Sequence, residues 1–276
     1  KVIDISEDNK DELKKEFSIQ RQFESPYIVN IISYFEDKEK EKFVIIIEYV
    51  NGGELLDAII QNGAFSEFDA ASLIQQTLIG LKVLHDNNVI HRDLKPENIL
   101  LSKNEANSET TAKISDFGLA DLFSEAKLQK YCGTEGYAAP EIMLHIPYDQ
   151  SVDIWSLGVI VYVLLSGKLP FDAEDSFTLT KQICKCNPDY TSERWANISK
   201  SAIDFIQQML QFEPEKRITV ENALKHEWIT GHAPKVQLGD LRNHLKKFNL
   251  QRKLKRVANA AKAGIMLQKL SLLDTK

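Results

Sequence analysis

Two short acidic motifs contain the side chains of this sequence that are best suited to chemistry. Residues 91–98 read HRDLKPEN, and residues 116–118 read DFG. If the two motifs meet, Asp93 supplies a base and Lys95 a cation, while Asn98 and Asp116 supply oxygen ligands for a hard metal ion. Such a set suits phosphoryl transfer to a hydroxyl group, because that chemistry depends on positioning and on neutralising the charge of the phosphate.

The segment between the two motifs predicts how they are brought together. Residues 99–101 and 112–114 are short apolar runs that favour strands, and the polar residues 102–111 favour a connecting loop. A hairpin of this kind places the end of the first motif and the start of the second at the same end of its two strands. The sequence therefore predicts one site that is built from both motifs.

The order of the remaining elements predicts a bilobal α+β fold. The first 50 residues contain a helix (residues 9–23), which ends before Pro26, and two strands (residues 27–35 and 43–50). Gly52 and Gly53 break the pattern, and helical periodicity follows in residues 67–85, 152–165 and 199–212. We expect a strand-rich first lobe at residues 1–50, a helical second lobe at 51–230 and a separate tail at 231–276.

Composition excludes several classes of protein. The formal net charge of -6 gives no overall indication of nucleic-acid binding. The three cysteines make no plausible disulfide framework, and Cys184 and Cys186 lack the neighbouring Cys or His residues that a metal site needs. The longest apolar run, residues 154–165, is too short to span a bilayer, and no secretory signal opens the chain. We expect a soluble cytoplasmic protein, with the nucleus as an alternative location.

The longer pattern of motifs resembles the catalytic region of a eukaryotic Ser/Thr protein kinase. HRDLKPEN, DFG, CGTEGYAAPE (residues 132–141) and DIWSLG (residues 153–158) occur in the family's order, over roughly residues 1–230. The resemblance implies that ATP is the phosphate donor and Mg²⁺ the metal ion. It also implies that Asp93 accepts the substrate's hydroxyl proton, that Lys95 stabilises the transferring phosphate, and that Thr134 contacts both. Asn98 and Asp116 would hold the Mg²⁺ ion.

The same resemblance assigns the nucleotide contacts of the first lobe. Lys1 would hold the ATP phosphates and would pair with Glu16 on the following helix. Ile47 would limit the depth of the adenine pocket. Backbone groups of Glu48 and Val50 would bond the edge of the adenine ring.

Two departures from the family pattern bear on activity. Gln20, four residues after Glu16, replaces an apolar residue, and the sequence contains no Gly-x-Gly-x-x-Gly loop to cover the phosphates. We expect that loop to precede Lys1, so that the strand-rich lobe is only partial. The alternative is a pseudokinase or scaffold that keeps the fold without turnover.

Two glutamates predict a substrate preference. In related kinases the residues at Glu54 and Glu97 face the cleft, which implies a preference for Arg or Lys upstream of the phosphorylated Ser or Thr. Elsewhere the resemblance implies a buried structural ion pair between Glu141 and Arg217.

The activation segment contains few hydroxyl groups that could be phosphorylated. Between Gly118 and Cys132, its only hydroxyl besides that of Tyr131 belongs to Ser124. We therefore expect that phosphorylation of this segment is not the main switch, although Arg92 could receive a phosphate carried by Ser124.

The tail is basic and amphipathic. No acidic residue occurs between Arg242 and Lys269, and apolar residues spaced by three and four form one helical stripe, which consists of Leu250, Leu254, Val257, Ala261 and Ile265. Three interpretations are open: a solvated helix lying on the kinase, a membrane-surface or nuclear-targeting helix, and a calmodulin-type target.

We favour the calmodulin target, because a helix of this kind directly after the catalytic region resembles the calcium/calmodulin-regulated kinases. That resemblance implies autoinhibition, in which the tail occupies the cleft and calcium-loaded calmodulin removes it. A close alternative is a calcium-dependent kinase whose own EF-hands lie beyond Lys276, with the tail as the junction helix.

Overall fold

The computed structural model describes residues 2–4, 10–37, 39–40, 42–63, 65–104, 109–123 and 128–273. Its first lobe contains a small antiparallel sheet with the strand order β1–β3–β2, together with one helix. The elements of this lobe are β1 (Val2–Asp4), α1 (Lys10–Gln20), β2 (Ile31–Asp37) and β3 (Lys42–Ile47).

Alternating side chains build the core of the first lobe. Successive side chains of a strand point to opposite faces, and in β3 this alternation buries Phe43 and Ile45. The ring of Tyr34 in β2 stacks on Phe43, with 5.3 Å between the ring centroids, and also contacts Phe17 of α1. Aromatic contacts therefore join the helix to the sheet.

Both strands that were predicted from the sequence are shorter in the structure. β2 begins at Ile31 rather than at residue 27, because Ile28 forms an isolated bridge with Ile114 of the second lobe instead. The Val29 N–H also donates to Ile114 O at 2.8 Å. β3 ends at Ile47 rather than at residue 50, and residues 48–50 connect the lobes.

The second lobe is mainly helical. Helix α3 begins with a reciprocal capping box between Ser66 and Asp69. Helix α5 is buried along nearly its whole length and forms the centre of the lobe. The helices are α2 (Leu55–Asn62), α3 (Glu67–Asp86), α4 (Pro140–Met143), α5 (Ser151–Ser166), α6 (Ser176–Lys185), α7 (Lys200–Met209) and α8 (Val220–Ala223). Short single turns of other helix types lie at Pro96–Asn98, Glu135–Tyr137, Glu193–Trp195, Pro214–Lys216 and Trp228–His232.

The hairpin that was predicted between the two acidic motifs is confirmed. Strands β5 (Ile99–Lys103) and β6 (Thr110–Ile114) pair antiparallel, with Ile99 opposite Ile114. A second short pair joins β4 (Val89–Ile90), just before the first motif, to β7 (Asp121–Leu122), just after the second. Both pairings bring the two motifs to one edge of the lobe.

The tail forms one long helix, α9 (Leu241–Leu273). Its first turns pack on the second lobe, where Leu241 and Leu245 are buried. Within the described ranges, no helix is long and apolar enough to cross a membrane.

Candidate active site

Three side chains meet at the centre of the cleft. Asp93 Oδ1 accepts a hydrogen bond from Thr134 Oγ1 at 2.8 Å, and Asp93 Oδ2 accepts one from Lys95 Nζ at 2.5 Å. Lys95 Nζ also donates to Thr134 Oγ1 at 3.0 Å. The carboxylate thus has a cation on one oxygen and an exchangeable hydroxyl on the other, which is an arrangement that can receive a proton from a second hydroxyl.

The two predicted metal ligands lie next to this triangle. Asn98 Nδ2 donates to Asp93 O at 2.9 Å, which directs the amide nitrogen toward the base and leaves Oδ1 as the acceptor. The Ser115 N–H donates to Asn98 O at 2.8 Å, so the residue before Asp116 is tied to Asn98. An amide oxygen and a carboxylate are ligands that fit Mg²⁺, which completes its shell with waters and substrate phosphates.

A buried carboxylate holds the catalytic loop in place. Asp153 of α5 accepts hydrogen bonds from the N–H groups of His91 and Arg92, each at 2.9 Å, and from His85 Nε2, also at 2.9 Å. Burial raises the pKa of Asp153, but the contacts with His85 and His91 outweigh it, and the net shift is downward. The predicted central helix therefore anchors the loop through its acidic first turn.

Arg92 is already engaged within the chain. Its side chain is buried and donates from Nε to Leu119 O at 2.6 Å and from Nη1 to the Tyr148 hydroxyl at 3.2 Å. Its Nη2 pairs with Asp121 at 3.1 Å. Sequence reasoning missed Asp121, which supplies the carboxylate that a buried guanidinium needs. The site that was predicted to receive a phosphate is therefore filled by an acidic side chain, while Ser124 lies outside the described residues.

Glu16 lies beside the second acidic motif. A Cβ atom added to Gly118 would be 3.4 Å from Asp116 Oδ1 and 3.7 Å from Glu16 Oε2. The helix glutamate and the predicted metal ligand therefore border the same glycine. Lys1, the predicted partner of Glu16, lies outside the described residues.

Gln20 replaces the expected apolar residue with a polar anchor. Its side chain is buried, and Nε2 donates to Val29 O at 2.7 Å. A buried amide with a partner is satisfied rather than destabilising. The bond therefore ties the end of α1 to the segment that connects it to β2.

The segment between the lobes is held on two sides. Glu48 N–H donates to Asn30 O at 3.0 Å, and Glu48 Oε1 accepts from Lys113 Nζ at 3.0 Å. Because its N–H is used, Glu48 can offer adenine its carbonyl group. Gly52 donates to Leu101 O at 2.7 Å, and a Cβ atom there would lie 2.2 Å from that oxygen. Only glycine permits this approach, which pins the chain after Ile47 and Val50 to β5.

The two predicted substrate-binding glutamates are occupied by the tail. Arg252 Nη2 donates to Glu54 Oε2 at 3.0 Å, and Arg252 Nη1 lies 2.6 Å from Glu97 Oε2. The contact with Glu97 is a close ion pair without hydrogen-bond alignment. Arg252 is only 12% exposed. The sequence singled out both glutamates but not the arginine that binds them.

A second set of contacts fixes the same helix. Lys253 Nζ pairs with Asp57 at 2.7 Å, and Asn249 Nδ2 donates to Asp57 Oδ1 at 2.7 Å. Burial raises the pKa of Asp57, but the contacts with Lys253 and Asn249 outweigh it, and the pKa is lowered overall. This inner face of α9 is polar apart from its first turns.

The predicted apolar stripe faces away from the second lobe. Leu250, Leu254 and Val257 are 60%, 60% and 66% exposed, and Ala261 is exposed as well. The side chain of Ile265 lies outside the described residues. The helix therefore docks through its basic face and leaves its apolar stripe accessible.

The predicted ion pair between Glu141 and Arg217 is present and buried. Two parallel hydrogen bonds of 2.5 and 2.7 Å join the guanidinium to the carboxylate. Arg217 also lies over the ring of Trp155, 5.1 Å from its centroid. The pair ties the end of the activation segment to the core of the second lobe.

The fold and the geometry of the site together define a protein kinase. The sequence model described as "Protein kinase domain" matches residues 1–229. The chain belongs to the protein kinase family, whose members use ATP and Mg²⁺. The predicted family and the bilobal α+β fold are therefore confirmed.

Within the family, the chain is similar to calcium/calmodulin-dependent protein kinases. It is 42% identical to the type 1 kinase of Macrobrachium nipponense over 227 residues, which are 82% of this chain and 65% of that protein. It is 42% identical to the type 1 kinase of Caenorhabditis elegans over 246 residues, 88% of this chain and 70% of that one. The human type IV kinase is 37% identical over 259 residues, 92% of this chain and 54% of that protein. The chain thus spans 54–70% of the length of these relatives, and their names support a protein serine/threonine kinase.

Proposed function

We propose that this chain is the catalytic and regulatory part of a protein Ser/Thr kinase that its own tail holds inactive and that calcium-loaded calmodulin releases. The position of Arg252 carries the proposal, because its guanidinium lies between the carboxylates of Glu54 and Glu97. Glu97 adjoins Asn98, which bonds Asp93. A cation bound there stands where a basic residue of a substrate would bind.

In the proposed reaction, Asp93 accepts the proton of the substrate hydroxyl while the hydroxyl oxygen bonds the γ-phosphorus and ADP leaves. Bound ATP with Mg²⁺ supplies the phosphoryl group, and Asn98 and Asp116 would hold the ion. The positive charge of Lys95 would stabilise the negative charge of the phosphoryl group during its transfer. Thr134 bonds both Asp93 and Lys95 and so fixes their relative positions.

The same two glutamates predict which substrates are favoured. A peptide with Arg upstream of the phosphorylated residue would replace Arg252 at Glu54 and Glu97. We expect kcat/KM for an Arg-x-x-Ser peptide to exceed that for a Gln-x-x-Ser peptide by about tenfold, which corresponds to roughly 1.4 kcal/mol. The Glu97→Gln variant should lose most of this ratio, whereas the exposed Glu215→Gln control should keep it. An unchanged ratio in Glu97→Gln would contradict this assignment.

The exposed stripe of α9 suits a protein with an apolar groove. Leu250, Leu254 and Val257 recur at i, i+4 and i+7, which is the pattern of anchors in helices that bind such grooves. Relatives named calcium/calmodulin-dependent kinases make calmodulin the favoured partner. Since the stripe is exposed while Arg252 is docked, calmodulin could bind the outer face first and then lift the helix. EF-hands of the same protein remain the alternative partner, and a cytoplasmic location remains a prediction.

Calorimetric titration of the protein with calcium-loaded calmodulin tests the partner. Leu254→Glu should weaken binding at least about tenfold, because it places a charge in the apolar groove. Gln251→Glu makes the same change in charge on an exposed polar position of the same helix, and it should bind nearly as the unaltered protein does. Absence of binding, or equal affinities for both variants, would remove calmodulin from the proposal.

A further inference from the structure

Glu135 belongs to the loop that contacts the predicted catalytic base. It follows Thr134, whose hydroxyl donates to Asp93 Oδ1 at 2.8 Å. Consecutive Cα atoms are about 3.8 Å apart, so the backbone of Glu135 lies next to a residue that bonds the predicted base. On the other side of Thr134, a Cβ atom added to Gly133 would lie 2.6 Å from Arg92 O. The loop is thus pressed against the catalytic loop, which fixes Glu135 relative to Asp93.

The carboxylate of Glu135 is held by neutral groups. Its Oε1 accepts from Ser176 Oγ of α6 at 3.2 Å and from the Tyr131 hydroxyl at 3.4 Å. In the part of the chain that the structure describes, no ion pair includes Glu135. Its side chain is exposed. Two hydroxyls orient the group without neutralising it, so it remains able to pair with a cation.

The tail does not cover this carboxylate. Helix α9 contacts α2 and α5, and its cations engage the glutamates and the aspartate on the α2 side of the cleft. Among the described residues, no hydrogen bond or ion pair joins α9 to Glu135. The acidic group on the α6 side is therefore available to a substrate that has displaced Arg252 or that binds beside it.

We propose that Glu135 selects substrates that carry Lys or Arg immediately after the phosphorylated residue. This inference rests on the proposed kinase function and adds a second contact to it. Upstream basic residues would meet Glu54 and Glu97, and the residue on the other side of the reacting hydroxyl would meet Glu135. Because the pair is exposed to solvent, the preference should be moderate, about two- to fivefold in kcat/KM.

Three Arg-x-x-Ser peptides that differ only in the residue after the serine (Lys, Gln or Glu) test the inference on the full-length protein in the presence of calcium-loaded calmodulin. The unaltered protein should prefer them in that order, through KM rather than kcat. Glu135→Gln should make the three nearly equal, and Glu135→Lys should reverse the order. Glu193→Gln, an exposed glutamate elsewhere on the lobe, should retain the original order. Equal use of the three peptides by the unaltered protein would overturn the inference.

Binding of the matching Ala peptides, measured by fluorescence anisotropy, separates this inference from the proposed function. These peptides cannot be phosphorylated, so their dissociation constants report selectivity without turnover. The same order of affinity, lost in Glu135→Gln, supports the role of Glu135 even if no phosphate is transferred. Equal affinities for the three peptides overturn that role. If the affinities follow the expected order but no phosphate is transferred, only the proposed enzymatic activity is overturned.

Discussion

Replacing Arg252 with Gln should weaken the docking of the tail and partly activate the kinase without calmodulin. The substitution removes the cation from Glu54 and Glu97 but keeps a polar side chain of moderate length on the helix. Glu97 would then be free to receive a basic substrate residue, while Arg256 Nη1, 3.7 Å from Glu54 Oε1, would remain beside Glu54. The contacts of Lys253 and Asn249 with Asp57 remain, so the helix should be loosened rather than detached.

The magnitude follows from the burial of the pair. Arg252, Glu97 and Glu54 are 12%, 14% and 25% exposed, which places them between a surface pair and a buried one. Hydrogen bonds to charged groups contribute about 1.5–3 kcal/mol and exposed pairs about 0.2–1 kcal/mol. An intermediate value of about 1–2 kcal/mol would shift the balance between docked and released tail by roughly 5–30-fold.

The assay is phosphorylation of an Arg-x-x-Ser peptide in the absence of calcium. Activity of Arg252→Gln should rise by up to this factor, limited by the activity of the fully released enzyme. Lys255→Gln removes the same charge from an exposed position of the same helix and should leave activity low. If Arg252→Gln stays as inactive as the unaltered protein while calmodulin activates both equally, the ion pairs do not hold the tail and the reasoning is refuted.

Substitutions at three further positions test other parts of the structure. Asp121→Asn leaves the buried Arg92 without a carboxylate and should lower kcat severalfold, with less change in KM for ATP. Asp121→Glu should restore part of the loss. Equal kcat values for Asp121→Asn and the unaltered protein would show that the pair does not position the segment. Arg217→Gln leaves the buried carboxylate of Glu141 without a partner and should lower the free energy of unfolding by about 3–5 kcal/mol, which should lower Tm by roughly 10 °C in calorimetry. A decrease in Tm of less than about 2 °C would contradict this. Gln20→Ala removes a buried hydrogen-bond donor and should lower the free energy of unfolding by about 1–3 kcal/mol in denaturant titrations. An unchanged unfolding midpoint would show that this side chain does not stabilise the first lobe.

The catalytic centre could be predicted from the sequence because its parts are close in the chain. Asp93, Lys95 and Asn98 lie within one motif, and a short hairpin brings Asp116 beside them. Hairpin strands are specified by local patterns of apolar residues, so β5 and β6 needed no knowledge of the remaining fold. The structure places these residues together, while their chemical roles remain proposals.

The regulatory contact could not be predicted in the same way. Arg252 and Glu54 are 198 residues apart, and nothing in the periodicity of the tail distinguishes this arginine from its basic neighbours. The apolar stripe suggested which face of the helix would bind a protein, but not that the polar face would dock first. Asp121 was missed for a related reason, since only the pairing of β7 with β4 brings it near Arg92. The ends of β2 and β3 also depend on contacts between the lobes.

The most direct test of the account is ATP-dependent phosphorylation of an Arg-x-x-Ser peptide by the full-length protein, with and without calcium and calmodulin. Asp93→Asn serves as the blank. We predict low activity alone, a marked rise with calcium-loaded calmodulin, and none in the blank. Activity that is equally high without calmodulin would contradict inhibition by the tail. Absence of phosphorylation under both conditions would contradict the proposed enzymatic activity and would favour a scaffold that keeps the kinase fold.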